Sequence, residues 1–257
     1  MITSRENPLI KLCRRLQSGA RARREEGLFV AEGARLCREA LRAGVAVQTL
    51  LATPEAAEKN PWLREAGVPV QELSPGVAAA ISDTKSPQGV YCLCAIPAAA
   101  ELAIRPEGRY LLLDSLQDPG NLGTILRGAE AFGITAVILG RGCPDRFSPK
   151  VLRSTMGSAF RQPVVEAEDL PETIRQMGEA GVPVWAAMLK PGARTVRELP
   201  TAGGLGVVIG NEGNGVSREA AGACSGAVYI PISPQVESLN AAAAATVVMW
   251  EISGRRG

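Results

Sequence analysis

Short apolar segments alternate with helical segments along most of this 257-residue chain, and that alternation restricts its fold more than any other feature. The pattern is clearest after residue 105, where the predicted strands Tyr110–Asp114, Thr135–Leu139 and Gly206–Ile209 are mostly aliphatic. Strands that are apolar throughout and separated by helices are typical of a parallel sheet covered on both faces. The sequence therefore predicts an α/β fold.

A segment rich in alanine and proline, Ile96–Leu102, is typical of a linker and divides this alternation into two parts. We therefore predict a small α/β domain over residues 1–98 and a second α/β domain over residues 105–257. In the smaller domain, the pattern predicts one helix over Pro54–Ala66 and strands on either side of it.

The absence of histidine restricts the chemistry of the chain. It excludes Ser-His-Asp and Cys-His catalysis and any histidine-ligated metal site, and we predict no bound metal. The six cysteines form no CxxC pair, which is typical of reduced cytoplasmic thiols. The longest apolar run, Ala241–Trp250, is about half of a membrane span. Because the first residues also lack an apolar signal segment, we expect a cytoplasmic protein that does not enter a membrane.

Positive charge is concentrated at the N-terminus. Residues 1–44 contain ten Arg or Lys and five Asp or Glu, whereas the rest of the chain contains 18 and 21. The excess is densest around Arg21, Arg23 and Arg24, which we predict to form a surface that contacts phosphate groups. A solvated helix face remains the alternative for these three arginines.

Three loops that follow predicted strands are candidate ligand sites, because parallel α/β sheets bind ligands beyond the carboxyl ends of their strands. They span Asp114–Gly123, Ile209–Gly215 and Ile230–Asn240. None contains GxGxxG or GxxxxGK[ST], the glycine patterns for dinucleotides and for nucleotide phosphates. A nicotinamide-dependent oxidoreductase is therefore disfavoured.

The three loops together resemble the motifs of the SpoU/TrmH family of the SPOUT superfamily, the RNA ribose 2′-O-methyltransferases. Residues 153–160 are similar to a further segment typical of that family, and residues 7–11 and 26–33 resemble the small substrate-binding domain that many members carry. The three motifs are Asn121-x5-Arg127-x-Ala129, Gly210-x-Glu212-Gly213-x-Gly215, and Ile230-Pro231-Ile232 followed by Glu237-Ser238-Leu239-Asn240.

The resemblance implies S-adenosylmethionine as the cofactor, a homodimer, and a deep trefoil knot in the second domain. It also implies that residues 1–98 form an RNA-binding domain, in which the phosphates that Arg21, Arg23 and Arg24 contact would be those of RNA. The cofactor-binding residues that it implies are Gly210, Ile230, Ile232 and Leu239, where main-chain groups and apolar side chains suit an adenine ring. The catalytic residues that it implies are Asn121, Arg127, Glu212, Ser238 and Asn240.

Two roles are open for Arg127: a base, or a clamp on the target phosphate that also stabilises the developing alkoxide. We favour the clamp, because arginine stays protonated and its planar group binds phosphate through two hydrogen bonds. Asn121 is expected to orient Arg127 or the ribose, or to cap its helix. Glu212 is expected to anchor the second motif and to hold Arg127 or Asn240. Ser238 and Asn240 are expected to start the last helix, where capping is their alternative role.

The third motif departs from the family pattern in two places. Pro234 replaces a usual glycine and removes one N–H, which affects one backbone contact to the cofactor. Alanines 241–243 replace the common Val-Ser-Val. As substrate, ribosomal RNA is favoured over transfer RNA, because the N-terminal domain resembles those of enzymes that modify ribosomal RNA. A transfer RNA methyltransferase and a catalytically silent RNA-binding protein remain the alternatives.

Overall fold

The computed structural model describes residues 1–200 and 202–253; residues 201 and 254–257 of the predicted second domain lie outside the described part. The elements up to residue 95 are α1 (Pro8–Ser18), α2 (Ala20–Glu26), β1 (Leu28–Glu32), α3 (Ala34–Arg42), β2 (Val47–Ala52), α4 (Pro54–Lys59), β3 (Val70–Glu72), α5 (Pro75–Ile81) and β4 (Val90–Ala95). They continue with β5 (Arg109–Leu113), α6 (Pro119–Ala131), β6 (Ala136–Leu139), α7 (Pro149–Thr155), β7 (Val164–Glu166), α8 (Leu170–Glu179), β8 (Val184–Ala187), β9 (Arg194–Thr195), β10 (Leu205–Ile209), α9 (Arg218–Ala223), β11 (Gly226–Tyr229) and α10 (Ala241–Ile252).

The chain forms two compact units. The first unit consists of Met1–Ala98 and Asp145–Arg161, and the second consists of Ala99–Pro144 and Gln162–Gly257. Residues 145–161, which the sequence prediction placed in the second domain, therefore pack within the first unit. Their aromatic residues belong to its core, because the Phe147 ring stacks on Phe29 with 4.7 Å between centroids.

A four-stranded sheet in the order β1-β4-β2-β3 forms the centre of the first unit. Strand β4 runs antiparallel to both of its neighbours, β1 and β2, and β2–β3 is the parallel pair of neighbouring strands. The expectation of a parallel sheet is therefore wrong for this unit. Alternation shows that helices separate the strands, but it does not show that the last strand inserts between two earlier ones in the opposite direction.

The predicted helix over Pro54–Ala66 is also wrong, because it is two shorter segments. Helix α4 ends at Lys59, and a 3₁₀ turn follows at Pro61–Glu65. Proline lacks the N–H that would continue the helix and disfavours helical backbone in the residue before it. Pro61 thus ends one segment and starts the next.

Both faces of the first sheet are buried, since successive side chains of a strand point to opposite sides. All five residues of β1 are buried. Phe29 and Ala31 pack with residues of α3 and α7, whereas Leu28 and Val30 pack with residues of α1 and α5. The first unit therefore has a hydrophobic core on each side of its sheet, and β1 contributes side chains to both.

A seven-stranded sheet in the order β7-β6-β5-β10-β8-β11-β9 forms the second unit, and every strand pair in it is parallel. The predicted parallel α/β fold is confirmed here. Helices α8 and α9 pack together on the face that Leu112 and Val208 share. Helices α6 and α10 pack closely at Gly128, which has no side chain. A β-carbon at that position would lie only 2.7 Å from Met249 Cε.

Within the described ranges, none of the helices has the length and apolar character that a bilayer crossing needs.

Candidate functional site

The candidate site lies at the carboxyl edge of the seven-stranded sheet, where parallel α/β folds bind ligands. Three loops start there and define it: the first loop (residues 114–118) after β5, the second loop (residues 210–217) after β10, and the third loop (residues 230–240) after β11. The first loop leads into α6 and the third leads into α10.

Glu212 of the second loop joins the second loop to the first. Its Oε1 accepts hydrogen bonds from Asn121 Nδ2 at 2.8 Å and from the Asp118 N–H at 3.2 Å. Its Oε2 accepts the Gln117 N–H at 2.9 Å. Partial burial opposes ionisation, but these hydrogen bonds outweigh it and hold the pKa of Glu212 below its ordinary value. The carboxylate is therefore a charged anchor at neutral pH.

Asn121 extends this contact to the third loop. Its Oδ1 accepts Asn240 Nδ2 at 3.0 Å, and Asn240 Oδ1 in turn caps α10 by accepting the N–H groups of residues 242 and 243. A chain of side chains, Glu212–Asn121–Asn240, thus connects one residue from each predicted motif. We call it the amide–carboxylate chain.

Two details of the predicted roles are corrected. Glu212 bonds to Asn121 and not to Arg127 or Asn240. It is connected to Asn240 only through Asn121. Asn121 does not cap α6: that helix starts two residues earlier, and Asp118 Oδ1 caps it by accepting the Asn121 N–H at 2.9 Å. The side chain of Asn121 is therefore available for the amide–carboxylate chain.

The shape of the second loop depends on Gly210. A β-carbon there would overlap the carbonyl carbon of Gly215, which faces it across the turn. Asn211 holds the turn from inside, since its Oδ1 accepts the N–H groups of residues 213 and 214. Its Nδ2 donates to the Ser115 carbonyl at 2.8 Å. The second loop is thus a hydrogen-bonded turn attached to the first.

Three residues that the sequence prediction did not single out also hold the first loop in place. Asp114 is buried at the end of β5, and its Oδ2 accepts the Ser217 N–H at 2.7 Å. Ser115 has a φ of 55°, which few residues other than glycine adopt. Its hydroxyl donates to the Arg141 carbonyl at 3.0 Å. The one sign of these contacts in the sequence is that Asp114, an acidic residue, directly follows an apolar strand.

Arg127 lies on the exposed side of α6. It lies six residues after Asn121, or about 120° away around the helix, so the two side chains do not share a face. Gly128, by contrast, faces α10. Within residues 1–200 and 202–253, Arg127 makes no hydrogen bond or ion pair, which leaves its guanidinium free for an anion.

The third loop exposes apolar side chains beside the strand ends. Ile230 is half-buried, while Ile232 and Leu239 are 39% and 37% exposed. Exposed aliphatic side chains at a sheet edge suit a flat apolar ligand. Ser238 is exposed, and no hydrogen bond of its side chain is found among the described residues. The last helix starts at Ala241, so its predicted start at Ser238 is corrected, while the capping role of Asn240 agrees with the structure.

The three N-terminal arginines differ from one another. Arg21 and Arg24 are exposed, and Arg21 pairs with Glu25 on the same helix. Arg23 is 4% exposed: its Nε lies 2.6 Å from Asp145 Oδ2, and its Nη1 donates to the Leu16 carbonyl. The predicted contact of Arg23 with RNA is therefore corrected, because its guanidinium is already satisfied inside the first unit.

In the second unit, polar side chains join three loops at the carboxyl ends of parallel strands. This arrangement is typical of the active site of an α/β enzyme. The sequence model of the SpoU rRNA methylase family matches residues 108–250. That of the MRM3-like substrate-binding domain matches residues 7–92. The chain belongs to the SpoU rRNA methylase family, and it is an RNA methyltransferase by that membership.

Known relatives resemble the chain over most of its length. The 23S rRNA (guanosine(2553)-2′-O)-methyltransferase RlmP of Bacillus subtilis is 34% identical, covering 98% of this chain and 99% of the relative. The 23S rRNA (guanosine-2′-O-)-methyltransferase RlmB of Xanthomonas campestris is 32% identical, covering 79% and 87%. A crystal structure of an AdoMet-bound rRNA methyltransferase from Sinorhizobium meliloti has a TM-score of 0.85 and 30% identity, covering 98% and 96%.

Proposed function

We propose that this protein methylates a ribose 2′-hydroxyl of ribosomal RNA, with S-adenosylmethionine as the methyl donor. The amide–carboxylate chain carries this proposal, because it draws together one polar residue from each of the three family motifs. The relatives named as 23S rRNA 2′-O-methyltransferases support the same reaction and the same class of RNA.

The described residues fit the proposed cofactor. Gly210 leaves the backbone of the second loop without a side chain, and Ile232 and Leu239 expose aliphatic surface on the third. Together with Ile230, these residues would hold the adenine between apolar side chains and main-chain groups. When bound, the cofactor supplies an activated sulfonium methyl group. The AdoMet-bound relative supports this assignment.

Arg127 is the residue that we assign to the RNA. An exposed guanidinium with no protein partner in the described part of the chain can bind a phosphate oxygen on each side of its fork. In the reaction, the ribose oxygen bonds to the methyl carbon, the carbon–sulfur bond breaks, and the hydroxyl proton leaves to water or to a phosphate oxygen. Arg127 stabilises the developing negative charge on the ribose oxygen. The amide–carboxylate chain holds the N-terminal turn of the same helix in place.

Ribosomal RNA is favoured over transfer RNA as the substrate. Two relatives that match most of the chain are named as 23S rRNA enzymes, and the match includes the N-terminal part. A silent RNA-binding homologue is disfavoured because Asn121, Arg127, Glu212 and Asn240 are all present. Among the N-terminal arginines, only the exposed Arg21 and Arg24 remain candidates for phosphate contacts.

Three further statements about the protein remain proposals. The first is a homodimer, which is supported by Trp250: this side chain is 63% exposed on α10 and packs edge-on against Phe132. The second is the deep trefoil knot implied by the family resemblance. The third is the cytoplasmic location predicted from the thiols.

The test is ribose-methylation mapping on unmodified 23S rRNA, 16S rRNA and transfer RNA, each incubated with the protein and S-adenosylmethionine. We expect one methylated ribose in ribosomal RNA and none when Arg127→Gln replaces the wild type. Methylation confined to transfer RNA would establish the alternative substrate. Cofactor binding with no methylated RNA would establish the silent homologue, and a cofactor that does not shift the melting temperature would contradict the proposal.

A further inference from the structure

The first unit contains a groove of about 320 Å³ between α3 and the 3₁₀ turn at Pro61–Glu65. We call it the α3 groove. Its walls carry three arginines, one glutamate and one tryptophan, so it combines positive charge with an aromatic ring. The polar and aromatic residues that line it are Arg35, Arg38, Glu39, Arg42, Asn60 and Trp62.

The arginines of the α3 groove share one face of an amphipathic helix. Leu36, Cys37 and Ala40 are buried against the sheet, which leaves positions 35, 38 and 42 exposed on the outer side. At a rise of 1.5 Å per residue, these positions are about 4.5 Å and about 6 Å apart along the axis. The guanidinium groups therefore follow one another along the groove, as phosphates do along a nucleic-acid strand.

The single carboxylate of the groove is already neutralised. Glu39 Oε2 lies 2.6 Å from Arg161 Nη1, and its Oε1 lies 3.2 Å from Arg42 Nη1. Arg35 and Arg38, in contrast, have no carboxylate partner within the described residues of the chain. The groove therefore presents two unpaired guanidinium groups, and its net charge attracts an anion.

Trp62 gives the α3 groove an aromatic surface that is fixed in place. Its indole N–H donates to Asn60 Oδ1 at 3.2 Å, and its ring packs against the core of the unit. Trp62 lines the groove, and its N–H is already satisfied. What the ring presents to a ligand is therefore apolar surface. Aromatic rings next to arginines are typical of sites that stack unpaired RNA bases and bind the adjoining phosphates.

A larger cavity of about 550 Å³ between α1 and α5 is also basic, but it fits RNA less well. Lys11 and Arg15, which line it, each pair with a glutamate, so that Arg14 is the lining arginine without a carboxylate partner among the described residues. None of the described residues that line it is aromatic. Base stacking and unpaired charge thus occur together in the α3 groove and not in this cavity.

We infer that the α3 groove binds a single-stranded segment of the RNA substrate, with a base stacked on Trp62 and phosphates bound by Arg35 and Arg38. This inference rests on the proposed function, since it locates part of the substrate of that reaction. An acidic protein segment is the competing occupant, because it would use the arginines without needing the ring.

The experiment measures binding of a fluorescein-labelled, mixed-sequence 12-nucleotide single-stranded RNA to the full chain by anisotropy across a salt series. We expect the R35A/R38A double variant to bind at least tenfold more weakly and to lower the slope of log affinity against log salt by about 1.4. We expect W62A to bind about tenfold more weakly and W62F to retain most of the affinity.

Arg64→Ala is the matched control, because Arg64 is an exposed arginine on the same turn as Trp62 but does not line the groove. We expect its affinity to stay within twofold of wild type. The melting temperature of R35A/R38A and R64A should match that of the wild type, and the cofactor-induced shift should be unchanged in all variants. W62A removes a ring that packs against the core, so it is expected to melt lower, and W62F, which keeps an aromatic ring there, separates loss of stacking from misfolding.

Three results would overturn the inference. The first is equal affinity and salt slope for R35A/R38A, W62A and R64A. The second is that R35A/R38A loses as much affinity for duplex RNA as for the single strand while W62A loses none. The third is a polyglutamate peptide that binds as tightly as RNA and loses affinity in the same variants. Because the readout is binding, a chain that binds RNA in the groove but methylates none contradicts only the proposed function.

Discussion

Arg23 in the first unit and Arg127 in the second place the same side chain in two opposite environments. Arg23 is buried and bonds to Asp145 and to a main-chain carbonyl. Arg127 is exposed and has no protein partner within the described ranges. The sequence prediction assigned both to RNA, one from a basic cluster and one from a motif. The difference teaches that local charge density does not distinguish an arginine that is satisfied inside the protein from one that is free to bind a ligand, whereas burial does.

Removing the Arg23 guanidinium should have the largest effect. Arg23→Ala leaves the mostly buried Asp145 carboxylate unpaired, which is expected to lower the free energy of unfolding by about 3–5 kcal/mol. Arg21→Ala is the matched control: its exposed pair with Glu25, one helical turn away, contributes about 0.3–0.5 kcal/mol. Urea unfolding of the full chain measures both. A loss for Arg23 no larger than that for Arg21 would show that burial does not distinguish the two arginines.

Changing Arg127 should affect catalysis and leave stability unchanged. If Arg127 clamps the phosphate, Arg127→Lys should lower the single-turnover rate by about 10²–10³-fold at every pH, because lysine lacks the planar fork. Cofactor binding should stay normal. If Arg127 is a base, the lysine variant should instead show a rate that rises as lysine deprotonates.

The measurement for Arg127 is methyl transfer at saturating cofactor between about pH 6 and 10, the range in which a desolvated lysine titrates. Arg127→Gln is the second variant. Near-normal turnover in both variants would show that Arg127 only packs on its helix and has no role in the reaction. Arg23 and Arg127 would then not differ as a structural and a functional arginine. A rising limb for lysine alone would contradict the clamp.

Glu212→Gln should have the smallest effect, and it tests whether charge matters inside the site as it does at Arg23. The pKa of Glu212 is lowered on folding, so its stabilisation is complete above the ordinary value of 4.5 and is lost as pH falls through the lower value of the folded protein. The wild type should therefore melt higher than the glutamine variant at pH 7. Melting curves below pH 4.5 should converge, and a constant difference across this range would contradict the role of the charge.

The order of elements and the motif residues followed from the sequence because both are local. Buried strands such as Tyr110–Asp114 are continuous apolar runs, and α/β alternation predicted the parallel sheet of the second unit. Asn121, Glu212 and Asn240 stand in motifs at strand ends, so their meeting was expected, although their partners were assigned incorrectly. Asp114, Ser115 and Ser217 were missed, because a hydrogen bond between a side chain and a distant main-chain group leaves little trace in the sequence.

The sequence by itself determined the fold class, the family and the three loops that build the site, since short-range pattern and residue type are enough for each. Only the tertiary structure decided the direction of β4, the packing of residues 145–161 in the first unit, and the burial of Arg23. Each of these depends on pairing between residues far apart in the chain, such as Arg23 with Asp145, 122 positions away. The local sequence around Arg23 does not show whether such a partner exists. An arginine at that position of a helix would be equally compatible with a solvated helix face.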